Sequence, residues 1–325
     1  MNRGALLLAL AACHAPAAHE GIPDSPGGGS ADASSDSAPA TCGLRAGARG
    51  TSNRSMMLGG LNRTYIVYLP TGVDPSTPIP LVMVFHGYTM SGQDMYDVTD
   101  YTSIADGYHV ALAFPDGESG PNSASAPWNV GDDVCPATAG VAPPNASGDD
   151  LAFIDAMRAD IAQDQCLDGD HEFVTGFSMG GYFAHHVGCE RPDIRAVAPH
   201  SGGTHPLDDC PVTKKPVIIF HGLSDPVIPA GCDDPSAGGT PSGFPASALA
   251  WAQHNGCATT TSNVVQVEGG RCAYYDGCPT GGQVALCTFD NMGHCWAGGL
   301  GTIFGCTGYA SATTLAWNFF QQYAW

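Results

Sequence analysis

Residues 176–181 read Gly-Phe-Ser-Met-Gly-Gly, preceded by Glu-Phe-Val-Thr and followed by Tyr-Phe-Ala-His-His-Val. A serine flanked this way can be a nucleophile if it sits on a sharp strand-to-helix turn. The turn lifts the hydroxyl clear of the backbone, and the glycines let the helix pack close. In a chain with 43 glycines the motif alone carries little weight. A serine hydroxyl needs a base, and the base needs an orienting acid. Downstream of Ser178 the groups required come in the order Ser, Asp, His. Asp225 follows the apolar run Val-Ile-Ile-Phe-His-Gly-Leu-Ser, and His294 follows Gln-Val-Ala-Leu-Cys-Thr-Phe and a short loop. The reading is Ser178 as nucleophile, Asp225 as orienter and His294 as general base.

Attack by such a serine builds an oxyanion, which needs two preorganised backbone N–H donors. One is expected from Met179, the residue after the nucleophile. The other is expected from the loop after an early strand, where Val-Met-Val-Phe-His86-Gly87-Tyr88-Thr89 ends an apolar run. The Tyr88 amide is assigned, with Thr89 as the alternative, and His86 is read as a residue bracing that loop. The remaining candidates fit the order or the placement less well. Asp233 and Asp234 lie further from a strand end and read as solvated loop acids. His185 and His186 fall on the helix after the turn, and His254 ends a helix, where it would act as a cap. His200 and His205 follow a strand but precede Asp225.

These residues need a sheet to hold them. Residues 64–70 are β-branched and aromatic, as in a strand. Residues 79–87, 109–117, 171–178, 195–202 and 215–222 are continuous apolar runs that stop at turn-forming residues, the pattern of strands buried on both faces of a parallel sheet. Helical stretches lie between them. In 147–165, Leu151, Ile154, Met157 and Ile161 recur at helical spacing, Ser147 or Asp149 caps the start, and Asp149 and Asp150 complement the helix dipole. Further helices are read at 180–190, at 244–256 with its Asn-Gly stop, and at the C-terminus, where Leu315, Phe319 and Tyr323 would share a face. Strands alternating with helices give an α/β fold with helices on both faces of a mostly parallel sheet. Ligand sites on such sheets lie at the carboxyl ends of the strands, where the candidate residues fall.

The 31 acidic and 11 basic residues give a net charge of −20, which repels phosphate backbones and anionic headgroups and argues against nucleic acid as a partner. At the N-terminus, Arg3 precedes an apolar run from Ala5 to Ala12, too short to span a bilayer and shaped like a signal-peptide core. Leu10-Ala11-Ala12-Cys13 resembles a bacterial lipobox, in which the peptide is cut before a lipidated cysteine. Residues 1–12 are therefore expected to be a signal peptide and Cys13 a lipid anchor, the sole membrane attachment. Residues 13–41, dominated by Ala, Ser, Pro, Gly and Asp, would be a flexible tether. Residues 42–325 would form one catalytic domain, placed outside the cell or on its envelope. Beyond Cys13 there are twelve cysteines and no Cys-x-x-Cys, which favours disulfides over a metal site. The expected local pairs are Cys257–Cys278, Cys189–Cys210 and Cys295–Cys306. Asn-x-Ser/Thr triplets at Asn53, Asn62 and Asn145 are read as accidental.

With these motifs in order, the chain resembles the polyhydroxybutyrate-depolymerase-like and feruloyl-esterase branch of the α/β-hydrolases. The resemblance rests on LVMVFHGYTMSGQDM, ALAFPDG, Trp128-Asn129, DDLAFIDAM, FVTGFSMGGYFAHHVGCE, AVAPHSGG, PVIIFHGLSDPVIP, WAQHNGC, YDGCPTGGQVALCTF and GHCWAGG, which cover nearly all of residues 60–320. It implies a serine carboxylic-ester hydrolase without metal or organic cofactor, with Ser178, Asp225 and His294 in the roles above. The implied substrate is an ester of a polymer or its fragments: feruloyl or acetyl esters on plant polysaccharide, or short hydroxyalkanoate oligomers. Trp128 and Trp296 would line the acyl or alcohol pocket or pack in the core. Two departures stand out. Trp296 is followed by Ala297 where the family usually has proline, and Tyr88 is bulky where a small residue or Cys is common. Cys272, Cys287 and Cys295 suggest disulfides bracing the histidine loop. Two other readings share the fold: a non-catalytic surface binding protein, which would have no need of all three residues, and a serine peptidase.

Overall fold

The computed structural model describes residues 42–43, 45, 47–118, 126–130, 148–204, 207–230, 243–301 and 303–323. They belong to a compact unit spanning Thr41–Trp325. The expected signal peptide, Cys13 and the tether lie outside the described residues, as do Cys135, Cys232, Asp233, Asp234, His205 and Asn145.

The chain opens with β1 (Gly50–Leu58) and β2 (Leu61–Leu69), an antiparallel hairpin closed by Gly59-Gly60. Both glycines have positive φ, 58° and 85°, which a two-residue turn matching the strand twist requires. β3 (Ile79–Phe85), α1 (Gly92–Thr99), α2 (Tyr101–Tyr108) and β4 (Ala111–Pro115) follow. Next come α3 (Asp150–Asp164), β5 (Leu167–Phe177), α4 (Met179–Glu190), β6 (Ile194–His200), β7 (Val217–Gly222) and α5 (Phe244–His254). The last elements are β8 (Asn263–Val267), β9 (Gly270–Tyr274), β10 (Val284–Phe289), the short pair β11 (Trp296–Ala297) and β12 (Gly305–Cys306), and α6 (Ala312–Phe320).

Ten strands form one sheet in the order β1-β2-β4-β3-β5-β6-β7-β10-β9-β8. From β4 to β10 every neighbour is parallel; β1, β2, β8 and β9 are antiparallel at the two edges. The continuous apolar runs are thus buried on two faces. On β3, Leu81, Met83 and Phe85 join the cluster that takes in Phe153 and Ile154 of α3, Phe183 of α4 and Trp251 of α5. Val82 and Val84 point the other way, into a cluster with Met95 of α1, Tyr101 of α2 and Trp317 of α6. Alternate side chains of one strand therefore serve two helix layers.

Several local readings need correcting. On α3, Phe153 is buried and Leu151 only partly so, while Asp149 does cap the helix through a bond from the Ala152 amide. Asp150 lies in the first turn of α3, where it complements the dipole, and it is also buried, 2.7 Å from the Arg63 guanidinium, and accepts from the Asn129 amide. On α6 the buried face is Ala316, Trp317, Phe319 and Phe320, with Leu315 and Tyr323 at its margin. His254 does not cap α5; its Nε2 reaches the Val212 carbonyl at 2.6 Å. Cys189–Cys210, Cys257–Cys278 and Cys295–Cys306 pair as expected, and Cys42–Cys166 joins them. Cys272–Cys287 is a rung between β9 and β10, where the two residues are directly opposed, and not a brace within the histidine loop. Among the described residues no helix is long and apolar enough to cross a membrane.

Candidate active site

β5 hands the chain to α4 through Ser178, whose φ of 57° and ψ of −119° lie in a region that L residues seldom enter. The glycines around it are dictated by close approach. A Cβ on Gly176 would sit 2.2 Å from the Gly180 carbonyl oxygen, and one on Gly180 would sit 2.3 Å from that of Phe85. The turn is fixed from the side by the Ser178 amide, which donates to the His200 carbonyl at 2.9 Å.

Asp225 stands three residues past β7 and His294 five past β10, the strand next to β7 in the sheet. His294 Nε2 lies 2.9 Å from Ser178 Oγ, and His294 Nδ1 lies 2.7 Å from Asp225 Oδ2. Asp225 Oδ1 accepts from the amides of Val227 and Ile228 at 2.8 and 2.9 Å. Burial by itself would raise this carboxyl. Hydrogen bonds from His221, His294 and the Ile228 amide outweigh it and hold Asp225 well below the usual carboxylate range. With Asp225 ionised, the Nδ1 proton of His294 points at the carboxylate, and Nε2 is free to accept from the serine.

The amides of Tyr88 and Met179 lie on two segments that meet at Ser178. Gly87 abuts the serine, since a Cβ there would come within 3.1 Å of Ser178 Cβ. The Gly87–Met90 turn, closed by a 3.0 Å bond, presents Tyr88 next. Met179 opens α4, so its N–H has no acceptor within the helix. His86 braces this loop: its Nδ1 donates to the Gly87 carbonyl at 2.7 Å, and its Nε2 accepts from the Gly117 amide at 2.9 Å.

Trp128 and Trp296 do not line an open pocket. Both are fully buried. Trp128 stacks on Phe183 and donates to the His86 carbonyl at 2.9 Å; Trp296 stacks on His200 and donates to Thr313 Oγ1 at 3.1 Å. An indole buried with its N–H satisfied is the arrangement of a core tryptophan. His185 is buried too, accepting from Trp251 Nε1 at 2.9 Å.

Two histidines that the order of residues leaves aside are part of the site. His200, at the end of β6, accepts from the Ala297 amide through Nε2 at 3.0 Å and contacts Ser201 Oγ through Nδ1 at 2.9 Å. Burial, with His221 and His294 alongside, pushes its ring well below the ordinary histidine range, so it is neutral. One residue thereby holds the nucleophile turn with its carbonyl and the histidine loop with its ring. His221, on β7, lies 3.3 Å from Asp225 Oδ2. The signal in the sequence is its place at a strand end four residues before the acid. Among the described residues no group of three or more His, Cys, Asp or Glu is disposed to hold a metal ion.

A serine on a strained strand-to-helix turn, with a carboxylate and an imidazole at later strand ends of this sheet order, defines an α/β-hydrolase. The chain belongs to the esterase PHB depolymerase family, whose model matches residues 63–265. It is 32% identical over 190 residues to feruloyl esterase C of Emericella nidulans, covering 55% of this chain and 63% of that protein. It is 26% identical over 272 residues to feruloyl esterase B of Piromyces equi, covering 81% of this chain and 45% of that one. The chain thus spans between about half and two-thirds of the length of these relatives. In fold it is similar to an acetyl xylan esterase from Aspergillus awamori (TM-score 0.56, 14% identity, 83% of this chain and 99% of that one). An S-formylglutathione hydrolase from Agrobacterium tumefaciens is similar in the same way (TM-score 0.51, 12% identity, 84% and 94%).

Proposed function

We propose that the protein is an exported serine carboxylic-ester hydrolase that works through an acyl-enzyme on Ser178. The observation that carries this reading is the continuous line from Ser178 Oγ through the His294 ring to Asp225, with contacts of 2.9 and 2.7 Å. Ser178 Oγ bonds to the ester carbonyl carbon while its proton passes to His294 Nε2. Asp225 stabilises the resulting imidazolium, and the Tyr88 and Met179 amides receive the oxyanion. The carbon–oxygen bond to the alcohol then breaks, and the alcohol leaves with the proton from His294. Water repeats the sequence on the acyl-enzyme, releasing the acid and restoring Ser178.

The substrate class is an ester drawn from a polymer. The feruloyl esterase names of the relatives support an ester of plant polysaccharide, feruloyl or acetyl, ahead of a hydroxyalkanoate oligomer. Five disulfides among the described residues support an oxidising, extracytoplasmic compartment. Anchoring through Cys13 follows from the lipobox-like sequence; a mature chain whose mass shows no lipid would remove it.

The test is hydrolysis of p-nitrophenyl acetate and butyrate by the purified protein and by Ser178→Ala, with fluorophosphonate labelling of both. Hydrolysis and labelling should vanish together in the variant; equal rates in the two proteins would sink the assignment. Methyl ferulate, acetylated xylan and hydroxybutyrate oligomers then rank the substrates.

A further inference from the structure

The mechanism above uses one histidine, yet a second faces the same carboxylate. His221 is fully buried on β7, its ring stacked on Phe244 with centroids 4.2 Å apart. Its Nε2 lies 2.8 Å from the Ile228 carbonyl oxygen and 3.3 Å from Asp225 Oδ2. Its Nδ1 is buried without a hydrogen-bond partner among the described residues. These contacts fix the proton. Two oxygens face Nε2, so that nitrogen carries a proton and donates to them. His221 is therefore a donor shared between the Ile228 carbonyl and Asp225.

Four N–H groups converge on this carboxylate: the Val227 and Ile228 amides on Oδ1, and His294 and His221 on Oδ2. The two on Oδ2 compete for the same oxygen, and one of them belongs to the base. We infer that His221 is a positioning residue for the proposed reaction: by sharing Asp225 Oδ2 with His294 it sets how tightly the carboxylate grips the protonated His294 ring, and so the pH at which His294 becomes a free base. The inference rests on the reading of Ser178, Asp225 and His294 given above. Among the described residues, the titratable groups facing Asp225 and His294 from the packed elements are His221 on β7 and His200 at the end of β6. Neutral His200 adds no charge, which leaves His221 as the neighbour that tunes the pair.

The sign follows. Removing the His221 donor concentrates the charge of Oδ2 on the His294 N–H. The imidazolium is stabilised, and the acid limb of kcat/KM, which reports the free enzyme, moves to higher pH. His221→Phe keeps the aromatic stack and deletes the donor; the acid-limb midpoint should rise by about 0.5–1 pH unit, where one unit is a tenfold change in the protonation equilibrium. His221→Gln can place an amide N–H near the lost Nε2 and should restore the midpoint to within about 0.2 units of wild type, since most of the shift comes from that one donor. A packing role alone predicts lower activity in both variants with the midpoint unmoved. A midpoint in His221→Phe that is unchanged or lower overturns the inference.

NMR supplies the reading without substrate. In the wild-type protein the His221 ring nitrogens should report a proton on Nε2; a ring protonated on Nδ1 with Nε2 bare overturns the inference even where His221→Phe fails to fold. The His294 ring titration in the variant should shift with the kinetic midpoint. Loss of ester hydrolysis in the wild-type protein would instead sink the esterase reading and leave the His221 spectrum to stand or fall by itself.

Discussion

Replacing Asp225 by asparagine changes one atom, and the structure dictates how that atom is oriented. Oδ1 accepts from two backbone amides at 2.8 and 2.9 Å. The asparagine oxygen must take that place, because turning the NH₂ group toward two N–H donors forfeits two bonds worth about 1 kcal/mol each and leaves buried donors unmet. The NH₂ group then faces His294 Nδ1 and the His221 Nε2–H, forfeiting the His221 bond, one against the two lost in the other orientation. It donates to His294 Nδ1 and forces the ring proton onto Nε2, where it points at Ser178 Oγ. The ring now donates to the serine it should deprotonate. A wrong tautomer in intact geometry costs roughly 10³–10⁴ in kcat, which is about 4–5.5 kcal/mol of transition-state stabilisation. The charge-assisted bonds to the buried carboxylate become neutral ones, so the fold should lose about 1–3 kcal/mol at pH 7.

The stability loss carries its own pH signature. The Asp225 carboxyl is held below the usual range, so its contribution is complete above the unfolded value of about 3.9 and fades as pH falls further toward the folded one. The gap in Tm between wild type and Asp225→Asn should therefore be widest at neutral pH and narrow below about pH 4. Kinetics on p-nitrophenyl acetate, fluorophosphonate labelling rates and melts at pH 7 and 3.5 read all three effects. A folded Asp225→Asn protein that keeps more than a tenth of wild-type kcat refutes the tautomer argument.

Three further outcomes follow from the same contacts. Gly180→Ala places a Cβ 2.3 Å from the Phe85 carbonyl oxygen and 2.6 Å from that of His86, forcing the start of α4 away from the Tyr88 segment. A displacement near 1 Å at a reacting group costs about 100-fold, which should appear in kcat and in the labelling rate of Ser178. Ala297→Pro removes the amide that binds His200 Nε2 while sparing the Trp296 and Gly298 amides that pair with β12. Melting and steady-state kinetics should show a loss of about 1–3 kcal/mol, from one buried acceptor left unmet, and a kcat lowered with KM little changed. Cys295 adjoins His294, and its disulfide to Cys306 closes a loop with a sequence separation of 11. Replacing both cysteines by serine should cost about 3 kcal/mol of loop-closure entropy and roughly 5–10 °C in Tm by calorimetry.

What the sequence discloses here follows from how local each constraint is. The parallel strands announce themselves because both their faces are buried: β3, β4 and β7 are buried at every position and β6 at all but Arg195. Ser178 announces itself because the backbone packs so closely around its strand-to-helix turn that only glycine fits at 176 and 180. The edge hairpin β8–β9 leaves no such trace. Strand β8 is exposed along most of its length, and only the Glu268-Gly269 turn, with φ of 71° at the glycine, marks it. The tryptophans leave pocket and core both open in the sequence for a related reason: a large aromatic beside a catalytic motif has the same letter whether it faces the cleft or the core, and the decision rests on partners such as Phe183 and Thr313 that are distant in sequence. His200 and His221 were harder still. Their relevance depends on β6 lying between β5 and β7, as in the chain, and on β10 lying beside β7, a neighbour that chain order does not give. Chain order selects three residues for the proposed chemistry, Ser178, Asp225 and His294. Sheet order adds His200, bonded to the Ser178 amide and the Ala297 amide, and His221, beside Asp225, and only a structure supplies sheet order.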